Sequence, residues 1–164
     1  MDWSKLFLSP EGRIGQKDFW IGVLILFVIW VLTPLLHIMA PLAWLLLLYP
    51  WICVFAKRLH DFGKSGLLIL VPFVVGFIAL TLGVIFGGVT VISAIVTAMQ
   101  GGTQPVTWAV VLGALGTMLA FLGIAAVFKF IFILWVGLST GDPGPNRYGP
   151  RPGSVTGDAA PTAA

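Results

Sequence analysis

Two apolar tracts flank one short polar island. From Phe19 to Leu138 the only Asp, Glu, Lys or Arg residues are Lys57, Arg58, Asp61, Lys64 and Lys129, and four of these five fall within eight positions. Soluble helices and strands alternate wet and dry positions, because one face of each meets water. Such alternation is missing here. A hydrocarbon core about 30 Å thick needs roughly 20 apolar residues of helix. Phe19 to Ala56 is long enough for two short helices, interrupted by Thr33-Pro34 and by His37 to Pro41. A helical hairpin is predicted there. Leu67 to Met99 and Val106 to Leu138 are each too long for one upright helix and too short for two. The polar punctuation of Gln100 to Pro105 separates them. One tilted or interface-extended helix on each side of that turn is the economical reading.

The expected fold is an all-α membrane protein, a four-helix transmembrane bundle made of two helical hairpins. Residues 1–18 form an N-terminal segment, 19–138 the transmembrane domain with an inner loop at 57–66 and an outer turn at 100–105. Residues 139–152 form a Gly/Pro turn segment and 153–164 an expected disordered tail. Orientation follows from the basic residues, which are retained in the cytoplasm. Lys5, Arg13 and Lys17 precede the first helix, Lys57, Arg58 and Lys64 follow the second, and Arg147 and Arg151 follow the fourth. The turns near His37 and Gly101 contain no Lys or Arg. Four crossings with both termini cytoplasmic put every basic loop inside. Trp20, Trp44 and Trp108 lie near predicted helix starts, where indoles favour the interface.

Composition strengthens the class: 59% of the residues are hydrophobic and 9% charged, against about 25% charged in an average soluble domain. The net charge is +3, and no nucleic-acid partner is expected. The leader mixes Asp2, Glu11 and Asp18 with its bases, unlike a cleaved signal. Trp3, Leu6 and Phe7 share one face of a possible surface helix, and Ser9-Pro10-Glu11 reads as a helix start.

The polar island offers several chemistries, most of which fail. Gly63-Lys64-Ser65 has Arg58 where a phosphate-binding loop needs its first Gly. His37 and His60 fall on opposite membrane faces, and Cys53 lies about two turns from His60, so no metal or cofactor is expected. His60, Asp61 and Ser65 do not form a pre-aligned catalytic set, since adjacent helical residues diverge. A helix-end reading covers the rest. Lys57, Arg58 and His60 complement the dipole in a last turn, Asp61 can pair with Lys57, Gly63 terminates, and Ser65 caps. Lys129 is expected to snorkel, and no predicted span contains an acid that could relay protons.

Small residues recur every four positions in the second half, with Ala79, Gly83 and Gly87 on one helix and Ala109, Gly113 and Thr117 on the other, Gly123 nearby. Such faces let backbones approach in lipid. Counting from the turn puts Gly87 level with Thr117 and Gly83 with Gly123. Intrachain packing is favoured over a homo-oligomer.

Three separated blocks then carry a resemblance: Gly12-Arg13-Ile14-Gly15 with Phe19-Trp20; Lys57-Arg58-Leu59-His60-Asp61 with Gly63-Lys64-Ser65-Gly66; and Gly144-Pro145-Asn146-Arg147-Tyr148-Gly149-Pro150. Together they resemble the bacterial inner-membrane family called domain of unknown function 805. That family often has basic residues where Gln16 and Phe62 stand here, and Trp at Leu67 and Leu68. The resemblance implies a multi-pass protein of the bacterial plasma membrane and supplies no activity.

The expected function is a non-enzymatic membrane module. Its basic inner cap would engage acidic lipid headgroups or a protein partner through Arg13, Lys57, Arg58, His60, Asp61, Lys64, Asn146 and Arg147. A permease or channel component is the alternative, and a headgroup-modifying enzyme comes behind it. Asp61 is expected to bridge Arg58, Lys57 or Arg147, leaving the other bases to face the headgroups. A reporter fused after Gln100 should read as extracytoplasmic and one at the C-terminus as cytoplasmic; two cytoplasmic signals would rule out four crossings.

Overall fold

The computed structural model describes residues 2–101 and 108–154, all helix, turn and loop apart from one isolated bridge between Asn146 and Gly149. The helices are α1 (Trp3–Leu8), α2 (Gln16–Leu32), α3 (Ala40–Asp61), α4 (Leu70–Met99) and α5 (Trp108–Leu138). Short 3₁₀ stretches at Thr33–Met39 and Gly66–Ile69 lead into α3 and α4. Three helical stretches are long and apolar enough to cross a membrane: Gln16–Asp61, Gly66–Met99 and Trp108–Leu138. At about 1.5 Å per residue, α4 and α5 each measure about 45 Å, well beyond a hydrocarbon core. The expected turn at 100–105 lies mostly outside the described residues, as does most of the 153–164 tail.

The chain divides into two compact units, Met1–Ile69 with Leu134–Ala164, and Leu70–Ile133. In the first, the Gln16–Asp61 stretch is not straight. His37 adopts φ 49° and ψ −111° inside the 3₁₀ turn, and the chain reverses there. Trp30 stacks on Trp44 at 6.5 Å, Phe19 meets Phe55 edge-on at 5.0 Å, and a Cβ on Gly22 would touch Val54 at 3.3 Å. These pairs step outward symmetrically from His37, so α2 and α3 form an antiparallel hairpin. Its core is Phe19, Leu26, Cys53, Val54 and Leu59, all at most 2% exposed.

Helix α1 lies on α3, with Leu6 buried. Asp2 caps it by accepting from the Lys5 amide and the Ser4 hydroxyl. The Ser4 hydroxyl, then the Lys5 amide, hold its carboxyl below the usual carboxylate range. Helix α1 ends at Leu8, so Ser9-Pro10-Glu11 does not begin a helix. Ser9 instead turns back on the Glu11 amide, and α2 starts only at Gln16.

In the Leu70–Ile133 unit, α4 and α5 run antiparallel. Ala79, Gly83 and Gly87 are the buried positions of α4. A Cβ on Gly87 would lie 2.9 Å from the Ala114 carbonyl oxygen, and one on Gly83 3.1 Å from the Met118 Cα. Phe86 stacks on Phe121 at 5.7 Å. The expected register is therefore off by three residues at one contact and five at the other, about one turn. Gly87 faces Ala114 rather than Thr117, and Gly83 faces Met118 rather than Gly123. Gly113 and Gly123 are exposed with nothing within 4 Å of a Cβ, and the Thr117 hydroxyl bonds back to the Gly113 carbonyl. Gly87→Leu should lose folded yield in detergent and melt earlier, by the ~1–3 kcal/mol typical of overpacking, while Gly113→Leu should melt with the wild type. Equal melting of Gly87→Leu and Gly113→Leu would refute the seam.

Candidate functional site

The polar residues of the first unit gather where three distant stretches meet: the Gly12–Gln16 segment, the C-terminal end of α3, and residues 136–149. Asp61 is the hub. Its Oδ1 accepts from Arg13 Nε at 3.1 Å and Nη2 at 3.0 Å, and its Oδ2 accepts from Arg58 Nη1. The three side chains are 1–5% exposed. Arg58 and Asp61 meet because a spacing of three puts them on one face of α3. Arg13 arrives from 48 residues away.

Two guanidiniums and one carboxylate leave a surplus positive charge, and backbone oxygens absorb it. Arg13 also donates to the carbonyls of Asp61 (3.1 Å), Asp142 (2.8 Å), Gly144 (2.7 Å) and Gly149 (3.3 Å). Arg58 donates to Val136, Ile14 and Ser139 carbonyls. Val136 and Ser139 are at the end of α5, where helical carbonyls lack intrahelical partners and carry the negative end of the dipole. Gln16 reinforces the same end through Leu138 and Ser139. Among the described residues no buried side-chain polar atom lacks a partner.

Lys57 serves another helix end. It is 3% exposed, and its ammonium donates to the carbonyls of Lys5 and Leu6, in the last turn of α1. The expected Lys57–Asp61 pair does not form. Tyr49 adds a bond from its hydroxyl to the Leu8 carbonyl at 2.9 Å. Helix α1 is thus held on α3 by donors from α3 itself.

The third block closes over the hub. Asn146 and Gly149 bond to each other in both directions, making a tight turn with Arg147 and Tyr148 at its tip. Asn146 also donates to the His60 carbonyl and to Asp142 Oδ2, and the Asp142 amide donates to the Asp61 carbonyl. The Tyr148 ring stacks on His60 at 3.8 Å and 8°, and the Arg147 guanidinium lies 4.7 Å from the Tyr148 ring centre. Arg147 donates to the Gly63 carbonyl. Gly63, with φ +71°, ends α3 as expected, and Ser65 accepts from the Leu67 amide before α4. Close approach dictates one more residue type: a Cβ on Gly141 would run into the Asp61 carboxylate.

Several predicted contacts are corrected by this geometry. Arg13, Lys57 and Arg58 were expected to face headgroups, yet their donors are turned inward onto carbonyls and Asp61. His60, Asp61 and Asn146 are likewise engaged within the chain. Arg147, Lys64, Lys17 and Arg151 are exposed bases around this end, and Lys5 is exposed too but pairs with Asp2 at 3.6 Å. Sequence reasoning missed Val136 and Ser139, whose backbone carbonyls accept from Arg58, and Gly141, whose missing side chain leaves room for Asp61. His60, Asp61 and Ser65 each have a structural partner and do not form a reacting set. Among the described residues no group of three or more His, Cys, Asp or Glu could hold a metal. An apolar groove of about 280 Å³ beside Gly83, Gly87 and Met118 offers no polar side chain for chemistry.

Comparison with known proteins gives a matching picture. The family described as "Protein of unknown function (DUF805)" matches residues 7–150. Over 65 residues the chain is 42% identical to the protein named "Uncharacterized protein YiiR" of Escherichia coli strain K12, and equally to that of Escherichia coli O157:H7. That stretch is 35% of this chain and 44% of each relative, so the chain matches under half of their length. No solved structure matches.

Removing one member of a buried ion pair costs about 3–5 kcal/mol. Asp61→Asn and Arg58→Leu should therefore sharply lower thermal stability and folded yield, whereas exposed Arg147→Leu should change melting only slightly. A wild-type melting curve for Asp61→Asn would show that the hub does not hold the fold.

Proposed function

We propose that this chain, which belongs to the DUF805 family, is a non-enzymatic module of the bacterial plasma membrane whose inner face engages acidic lipid headgroups. The observation that carries this reading is the division of labour among the bases. The buried ones are consumed by Asp61 and helix-end carbonyls, while Lys17, Lys64, Arg147 and Arg151 stay exposed. Basic side chains beside a bilayer attract acidic lipids by about 1 kcal/mol each.

In this reading α2, α3, α4 and α5 each cross the bilayer, and the His37 reversal makes the first long stretch two crossings. Both ends of the chain then lie in the cytoplasm with the exposed bases, as basic-residue retention requires. The large apolar side chains exposed along all four helices, such as Leu24, Leu45, Phe77 and Leu119, face acyl chains. A transport role finds less support. The hydroxyls of Thr33, Thr81, Thr90, Ser93, Thr97 and Thr117 all bond to carbonyls three or four residues earlier in the chain, so none of these six is left to line a polar path. A protein partner would use the same exposed bases.

The test neutralises those bases without touching the hub. Lys17→Gln, Lys64→Gln, Arg147→Gln and Arg151→Gln combined should keep membrane insertion and folded yield. Flotation with vesicles containing phosphatidylglycerol should show the detergent-purified protein retaining far less acidic lipid than wild type. Unchanged acidic-lipid retention would overturn the headgroup reading.

A further inference from the structure

The seam between α4 and α5 is not uniform. At Gly87 and Gly83 the backbones are so close that a Cβ would lie 2.9 and 3.1 Å from the facing helix. Gly76 stands one heptad before Gly83, on the same face of α4, yet a Cβ there meets nothing within 4 Å. The antiparallel register set by Gly87–Ala114 and Gly83–Met118 carries Gly76 to the level of Ala125. It carries Phe73 to the level of Phe128 and Lys129. The two helices thus touch along the middle of the seam and leave room at the end where Lys129 stands.

Lys129 is the only Asp, Glu, Lys or Arg between Leu67 and Leu138. Its side chain is exposed, and its Nζ lies 5.9 Å from the centre of the Phe73 ring. Among the described residues no carboxylate or carbonyl accepts from it. The ring face offsets only part of the cost of carrying a lysine within a membrane. An ammonium has three protons to donate, and a ring satisfies none of them as an oxygen would. Lys129 lies nine positions before the end of α5, about 13 Å along the axis, within reach of the glycerol and phosphate layer for a four-carbon stem.

We infer that Lys129, Phe73 and the open seam at Gly76 form a binding site for one anionic phospholipid. Its phosphodiester sits on the Lys129 ammonium, and an acyl chain lies in the gap beside Gly76 and Ala125. The charge selects a net-negative lipid, because a zwitterionic headgroup brings its own cation. The apolar remainder of the site excludes a free anion, which would find one lysine and no other donor. This rests on the membrane reading above but not on the exposed bases of the inner face.

The experiment is native mass spectrometry of the full chain in non-ionic detergent, titrated with phosphatidylglycerol or phosphatidylcholine. Recovery of each variant in the membrane fraction is checked first, and a chain that never enters that fraction overturns the membrane reading itself. Lys129→Leu should weaken phosphatidylglycerol binding about fivefold, the worth of one basic residue near the surface. Lys129→Arg should bind as wild type, Gly76→Leu should lose binding by filling the gap, and the four-base variant of the inner face should keep this lipid. Undiminished phosphatidylglycerol binding in Lys129→Leu or Gly76→Leu, equal binding of phosphatidylcholine, or displacement by inorganic phosphate would each overturn the site.

Discussion

The Asp61 carboxylate between Arg13 and Arg58 is the contact on which the first unit depends. A buried guanidinium is tolerated only when its donors are met, and two of them around one carboxylate leave a surplus charge that other groups must absorb. The carbonyls of the α5 terminus and of residues 142–149 do so. The helix-end oxygens among them lack intrahelical donors and would need others in any case. The hub therefore solves two deficits with one set of bonds. It ties an N-terminal loop, the end of α3 and the segment after α5 into one body.

The same economy governs Lys57. It points away from the hub and completes the last turn of α1, a helix of six residues, too short to persist without external contacts. Neighbouring bases on α3 thus serve different helices, because adjacent helical positions diverge by about 100°. Their exposed relatives, Lys64 and Arg147, flank the assembly without joining the ion pair.

Much of this was legible in the sequence. The near-absence of charge between Phe19 and Leu138, the break around His37 and the Gly63 terminator follow from local physics, and all three stand in the structure. Shared placement of the Arg13, Lys57–Asp61 and Asn146–Arg147 blocks also followed from their basic character. Of the two partners of Asp61, Arg58 was among those its neighbourhood offered, whereas Arg13, 48 residues away, was not. Backbone acceptors such as Val136 and Ser139 leave no trace in residue type. The α4–α5 register was misjudged because it was counted from the middle of the 100–105 turn, and because α5 carries small residues on more than one face. Ala114 and Gly113 are neighbours, and periodicity cannot choose between them.

The sequence separation within the hub has a consequence for biogenesis. Arg13, Arg58 and Asp61 leave the ribosome long before Val136, Ser139, Asp142 and Gly149. During that interval Arg58 lacks two of its acceptors and Arg13 three. Until then the two guanidiniums have only the Asp61 carboxylate and the carbonyls of Ile14 and Asp61, and the hub stays incomplete. A chain cut short inside α5 would keep the Arg13–Asp61–Arg58 cluster but lack the carbonyls of Val136, Ser139, Asp142, Gly144 and Gly149 that absorb its surplus charge.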